Sequence, residues 1–128
     1  MSSAPGTCKT KNVIYFVECK LCSKPYVGRT VQPIGKRMNG HRECFYQIFR
    51  NENVDESMDD YSLGLHLTQD HGLSAPGDFN KHYSVCILEV CSPSSLEKKE
   101  HNYIHGYNTL HPIGLNKVNP FGLPRLSI

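Results

Sequence analysis

The sequence predicts an α+β fold built as one domain. Three observations carry this. Residues 12–18, 25–28 and 83–90 are rich in β-branched and aromatic side chains, as strands are. Apolar residues recur at three-to-four spacing after Pro33 and again after Ser95, as on helices. A chain of 128 residues with 38% hydrophobic content holds one modest core and not two, so a further staple is expected.

The elements follow in order. In the first strand Val13, Tyr15 and Val17 share one face, and the strand ends in Cys19-Lys20-Leu21-Cys22. After a turn at Ser23-Lys24, residues 25–28 form the return arm of a hairpin whose tip carries the two cysteines. Pro33 suits the first turn of a helix, on which Ile34, Arg37, Met38 and His41 fall along one face. Residues 51–60 hold five acids and little to bury, which predicts an exposed loop. A short helix over 62–67, a turn at 75–78 and a third strand over 83–90 come next. Ser94-Ser95-Leu96-Glu97 matches a capping box and opens a helix with Leu96, Glu100, Tyr103 and Ile104 on one stripe. From Pro112 onward, proline and glycine exclude a regular helix. Residues 1–11 read as a flexible lead-in, 12–118 as the domain and 119–128 as a C-terminal extension.

Charge is segregated. Residues 1–50 hold nine Lys/Arg against two Asp/Glu, and residues 51–100 hold three against ten, although the net charge is only +2. A basic first part suits a polyanionic partner. No apolar run approaches the roughly 20 residues that cross a bilayer, so no membrane partner is expected. The opening Met-Ser-Ser-Ala-Pro-Gly lacks the apolar stretch of a secretory signal and reads as a linker or a cloning remnant. The chain therefore reads as intracellular, where six cysteines beside seven histidines favour metal binding over disulfides.

Several residues have the chemistry for a site. Cys19-x2-Cys22 on a hairpin tip has zinc-knuckle geometry, and His66-x4-His71 falls within the spacing of paired histidine ligands. Forty-three residues separate the pairs, so a shared metal would clamp distant segments. Five residues turn about 500° on an α-helix, so one histidine should lie past a helix end, as Gly72 allows. A reduced pair without metal, or a rival set of Cys8, His41 and Cys44, stays open on spacing alone. Glu100 stands on the inward stripe of its helix, where a carboxylate needs a cation, hydrogen bonds or a raised pKa; an ordinary ion pair would serve equally. Arg37 and His41 sit one turn apart, and Tyr15 and Tyr26 lie on the two arms of the hairpin, although packing alone accounts for such tyrosines.

The order of these motifs resembles the GIY-YIG nuclease family. Val13-Ile14-Tyr15, Tyr26-Val27-Gly28-Arg29-Thr30, Ile34-x2-Arg37-x3-His41, Glu100 with Ile104, and Gly114-Leu115-Asn116 stand in register over residues 12–116. The details are most similar to the endonuclease domain of Penelope-like retroelements, in which a cysteine pair between the tyrosine motifs and a later histidine pair form a zinc site. Cys8-x-Thr10-x-Asn12 and Thr109-Leu110-His111-Pro112 also look like that group. Val13 stands where the family name has glycine, and the acidic stretch 51–60 is an insertion.

The resemblance implies a small three-stranded antiparallel sheet flanked by helices, with structural zinc on Cys19, Cys22, His66 and His71. It implies Tyr15 as general base with Tyr26 beside it, Glu100 as ligand of one Mg²⁺ or Mn²⁺, Arg37 on the scissile phosphate, and Arg29 and His41 assisting. Asn116 would be structural. Lys24, Arg29, Lys36 and Arg42 would contact DNA, with the 51–60 acids turned away from it. The implied activity is nicking of DNA to leave a 3′-hydroxyl that primes a reverse transcriptase linked in the full-length protein, acting in the nucleus or elsewhere inside the cell. A structure-specific repair or recombination nuclease, an inactive zinc-dependent DNA-binding module and a thiol-redox protein are the rival expectations.

Overall fold

The structure is a computed structural model that describes residues 6–50, 54–56 and 58–117. Strand β1 (Val13–Cys19) lies at the centre of a three-stranded antiparallel sheet in the order β2-β1-β3. Strand β2 (Pro25–Thr30) pairs with β1 as the expected hairpin, with Tyr15 opposite Gly28 and Val17 opposite Tyr26. Strand β3 (Tyr83–Val90) covers the other edge of β1, with a bulge where the register shifts between Ile14 and Tyr15. Both faces of β1 are buried, because helices cover each side of the sheet. Val13, Tyr15 and Val17 do share a face, but Ile14 and Phe16 on the opposite face are buried as well.

Each face of the sheet has its own helical cover. Helix α1 (Ile34–Phe49) packs Ile34 and Phe45 against the Tyr15 face, together with Leu63 of α2 (Ser62–Leu65) and Phe79 of α3 (Asp78–His82). Helix α4 (Leu96–Tyr107) packs Leu96 and Ile104 against Ile14, Phe16 and Val27 on the other face. Burying each such apolar side chain contributes about 1.5–3 kcal/mol. Helix α3 replaces part of the turn expected at 75–78, and β2 runs two residues beyond the expected Gly28.

Two local expectations are corrected. The capping box at Ser94–Glu97 does not form: Ser95 is the cap residue of α4 without a side-chain cap, and a 3-10 turn at Pro93–Ser95 leads in, tied by the Ser95 hydroxyl donating to the Ser92 carbonyl. Residues 7–11 are not a free lead-in. The Cys8 and Thr10 carbonyls accept the Gly35 and Ile34 amides at 2.8 and 3.0 Å, which satisfies donors that the start of α1 leaves without helical partners. Residues 1–5 of the expected lead-in and the extension 119–128 lie outside the described residues. No helix among the described residues is long and apolar enough to cross a membrane.

Candidate functional site

Two polar clusters sit on the α1-facing side of β1. The first is at the hairpin tip. Cys19 ends β1, and Cys22 sits in the turn that Ser23 completes with φ of +66°. His66 opens a five-residue π turn, His66–Asp70, and His71 follows as its capping residue. The wider i→i+5 turn brings the two imidazoles together, their ring centroids 4.7 Å apart. Helical spacing alone had kept them on different faces. The passage past the helix end, expected from Gly72, is made by His71, and Gly72 takes φ of +66° directly after it.

The four ligand atoms lie within 4.8 Å of one another, so this cluster can hold a metal ion. Cys22 Sγ is 3.2 Å and Cys19 Sγ 3.6 Å from the nearer imidazole Nε2, and the two Nε2 atoms are 3.2 Å apart. Bonds of about 2.3 Å to sulfur and about 2.0–2.1 Å to nitrogen at tetrahedral angles place S···N near ~3.6 Å and N···N near ~3.3 Å, so the cage is compatible with structural zinc. Asp70 accepts from His66 Nδ1 at 2.7 Å, which leaves Nε2 free to ligate. The rival set is not assembled: Cys8 lies beside Gly35, His41 is engaged elsewhere, and Cys19, Cys22, His66 and His71 form the one such group among the described residues.

The second cluster lies along the hairpin body. Tyr15 and His41 are 0% exposed and Tyr26 is 2% exposed. The Tyr15 ring lies flat over Gly28, where a methyl group would meet it at 2.2 Å, so only glycine fits opposite Tyr15. Tyr15 Oη is 2.7 Å from His41 Nε2, and the Tyr26 ring meets the His41 ring edge-on at 5.5 Å between centroids. Burial, with Arg37 adding to it, pushes His41 down to about 3, so the imidazole is neutral and its Nε2 accepts the Tyr15 hydroxyl proton. Its own proton is then on Nδ1, beside the Asp60 backbone. Burial holds the Tyr15 phenol above its ordinary range, opposed by the Arg37 guanidinium that donates to it.

Glu100 approaches from the other side of the sheet. Its side chain is 12% exposed and its carboxylate is 3.7 Å from Arg29 Nη1. Burial pushes Glu100 up to about 7, against Arg29 and Arg37 and reinforced by Asp59. Arg29 supplies the ion pair that the sequence left open, yet that one long contact does not offset the burial. Arg29 and Arg37 together line a hollow of about 470 Å³ with Thr30, Gln32 and Glu97. Both guanidiniums that line it are paired with carboxylates, Arg29 with Glu100 and Arg37 with Asp60.

The largest correction concerns the acidic stretch. Residues 51–53 and Ser57 lie outside the described residues, but Asp59 and Asp60 do not form a solvated loop. They begin a 3-10 turn, Asp59–Tyr61, that closes over the tyrosine pair. Asp60 pairs with Arg37 at 2.5 Å. Asp59 accepts from the Lys117 amide at 2.6 Å, from Asn116 Nδ2 at 3.3 Å and from the Tyr26 hydroxyl. Burial raises the Asp59 carboxyl despite these donors. Asn116 also bridges the Val27 amide and carbonyl at 2.9 and 2.8 Å, which ties the segment after α4 to β2. Composition gave no sign of this, because acids in a polar run look alike whether they face water or a buried cation.

The expected DNA-contacting cations are spread out. Arg29 lines the hollow, whereas Lys24 faces His66 of the metal cage and Lys36 is exposed on α1. Arg42 donates to Asn80 and Asn39, and it lines a different hollow with Cys8 and Ile87. No family model, curated protein or solved structure matches the chain.

Proposed function

We propose that the chain is a zinc-stabilised, Mg²⁺- or Mn²⁺-dependent DNA endonuclease of the GIY-YIG kind, most similar to the nicking domain of Penelope-like retroelements. The observation that carries this reading is the convergence of Tyr15 from β1, Tyr26 from β2, Arg37 and His41 from α1 and Glu100 from α4, each with the chemistry phosphodiester hydrolysis needs. In this reading the Tyr15 oxygen takes a proton from the attacking water as its own proton passes to the neutral His41 Nε2. Arg37 and Arg29 neutralise the charge that grows on the phosphate. The water oxygen bonds to phosphorus as the bond to the 3′ oxygen breaks, leaving the phosphate on the 5′ side of the nick, and the departing 3′ oxygen takes a proton from solvent water to become the 3′-hydroxyl. Glu100 would hold the divalent ion, whose charge eases departure of that oxygen. Zinc on Cys19, Cys22, His66 and His71 would hold the hairpin tip to the π turn. DNA in the nucleus and a linked reverse transcriptase that extends the 3′-hydroxyl complete the proposal.

A supercoiled-plasmid assay with Mg²⁺ or Mn²⁺ tests it. The parent converts the plasmid to the nicked circle, and Tyr15→Phe and Glu100→Ala each slow this by on the order of 10²–10⁴-fold at unchanged zinc content. Variants that nick as fast as the parent remove these residues from catalysis. Preference for flapped or four-way DNA over linear DNA would move the reading to a repair nuclease.

A further inference from the structure

In this arrangement the tyrosine pair is sealed and the phosphate-binding guanidinium is already occupied. Arg37 pairs with Asp60 at 2.5 Å, with 26% of the Arg37 side chain and 43% of the Asp60 side chain exposed. Asp59, one residue earlier, takes the Tyr26 hydroxyl and anchors the turn to Asn116 and Lys117. The Tyr61 hydroxyl anchors the other end to Gln47 at 2.9 Å. The turn is thus held on both sides, and the Asp60 carboxylate occupies the guanidinium that the proposed function gives to a phosphate. A carboxylate and a phosphodiester offer the same fork of anionic oxygens to a guanidinium.

We propose that Asp60 is an autoinhibitory phosphate mimic: it occupies Arg37 in the free protein, and a DNA phosphate must displace it to enter the site. The inference rests on the proposed reading of Arg37 as a phosphate ligand and not on catalysis. Asp60 sits at the solvent-facing rim, so its carboxylate can turn into water without unpacking the core, and a part-exposed ion pair is weak enough to be exchanged. The Asp59 anchors stay in place as it does so. The acidic turn therefore selects against weak or isolated anions, and favours a polyanion whose other phosphates bind elsewhere and release counterions.

The test is binding of a 30-base-pair DNA duplex by the zinc-loaded protein without added Mg²⁺ or Mn²⁺, read by fluorescence anisotropy at fixed salt. Asp60→Asn should bind roughly two- to fivefold more tightly than the parent, the range an exposed ion pair allows. Glu56→Gln removes one charge from the same segment without touching Arg37, since Glu56 accepts from Gln69, and should stay close to the parent. Asp60→Glu keeps the carboxylate and should also bind like the parent. In an Arg37→Ala background the gain from Asp60→Asn should vanish. Unchanged or weaker binding by Asp60→Asn overturns the proposal, as does an equal gain from Glu56→Gln, which would reduce it to net charge. A protein that shows the gain but never nicks plasmid keeps the mimic and loses the nuclease reading. A protein that nicks but shows no gain loses the mimic alone.

Discussion

The metal cage and the tyrosine pocket lie four residues apart on the same face of β1, at Cys19 and Tyr15, and they are built on opposite principles. In the cage, two sulfurs and two imidazole nitrogens point at one another, and a cation between them satisfies all four. In the pocket the hydroxyls and Arg37 already have protein partners: Tyr15 has His41 and Arg37, Tyr26 has Asp59, and Arg37 has Asp60. The cage leaves its four ligand atoms to a cation, whereas protein groups already occupy the pocket's hydroxyls and its Arg37. The contrast teaches that the first should be filled as the chain folds, whereas the second should open only when a competing anion arrives.

Removing the metal is the harshest way to test the contrast. A structural zinc contributes on the order of 10 kcal/mol, comparable to the whole stability of a domain this size. Chelation should therefore unfold the domain and zinc should restore it, with about one zinc per chain by elemental analysis. A metal-free protein that melts at the same temperature would contradict this. Asp70→Ala is the graded version. Loss of the His66 Nδ1 partner should weaken metal affinity roughly 10–100-fold while the fold persists in excess zinc.

A gentler test addresses the pocket. The folded value of His41, about 3, lies below the unfolded value near 6.5, so the folded state resists protonation. Its contribution to stability is full above about pH 6.5 and is lost as the pH falls toward 3. Between pH 7 and pH 5 this loss is on the order of 2 kcal/mol. His41→Asn should lose correspondingly less over that interval, as read from urea midpoints with zinc present. The cage histidines contribute equally to both proteins, so the difference isolates His41. Equal slopes would mean that His41 is not held neutral by burial.

How far the sequence reached differs between the same two regions. The strands, α1, α4 and the cage ligands were legible because each rests on local spacing: alternation in β1, three-to-four spacing around Arg37 and Glu100, and rare ligand types in short pairs. Glu100 announced itself because a carboxylate on an apolar stripe is costly. The π turn at His66–Asp70 was not legible, since its i→i+5 hydrogen bonds have no signature in side-chain periodicity. Nor was the engagement of Asp59 and Asp60, whose partners Tyr26, Arg37, Asn116 and Lys117 all lie more than twenty residues away in the chain. Tertiary placement decided what those acids do, and composition does not encode it.

The most direct test of the central claim is a crystal structure with Mn²⁺ and a DNA duplex, in which anomalous scattering locates the ion. The account predicts Mn²⁺ on the Glu100 carboxylate and one backbone phosphate shared by Arg37 and Tyr15, with Asp60 turned away into solvent. Manganese away from Glu100, or DNA bound elsewhere with the Arg37–Asp60 pair intact, would contradict it.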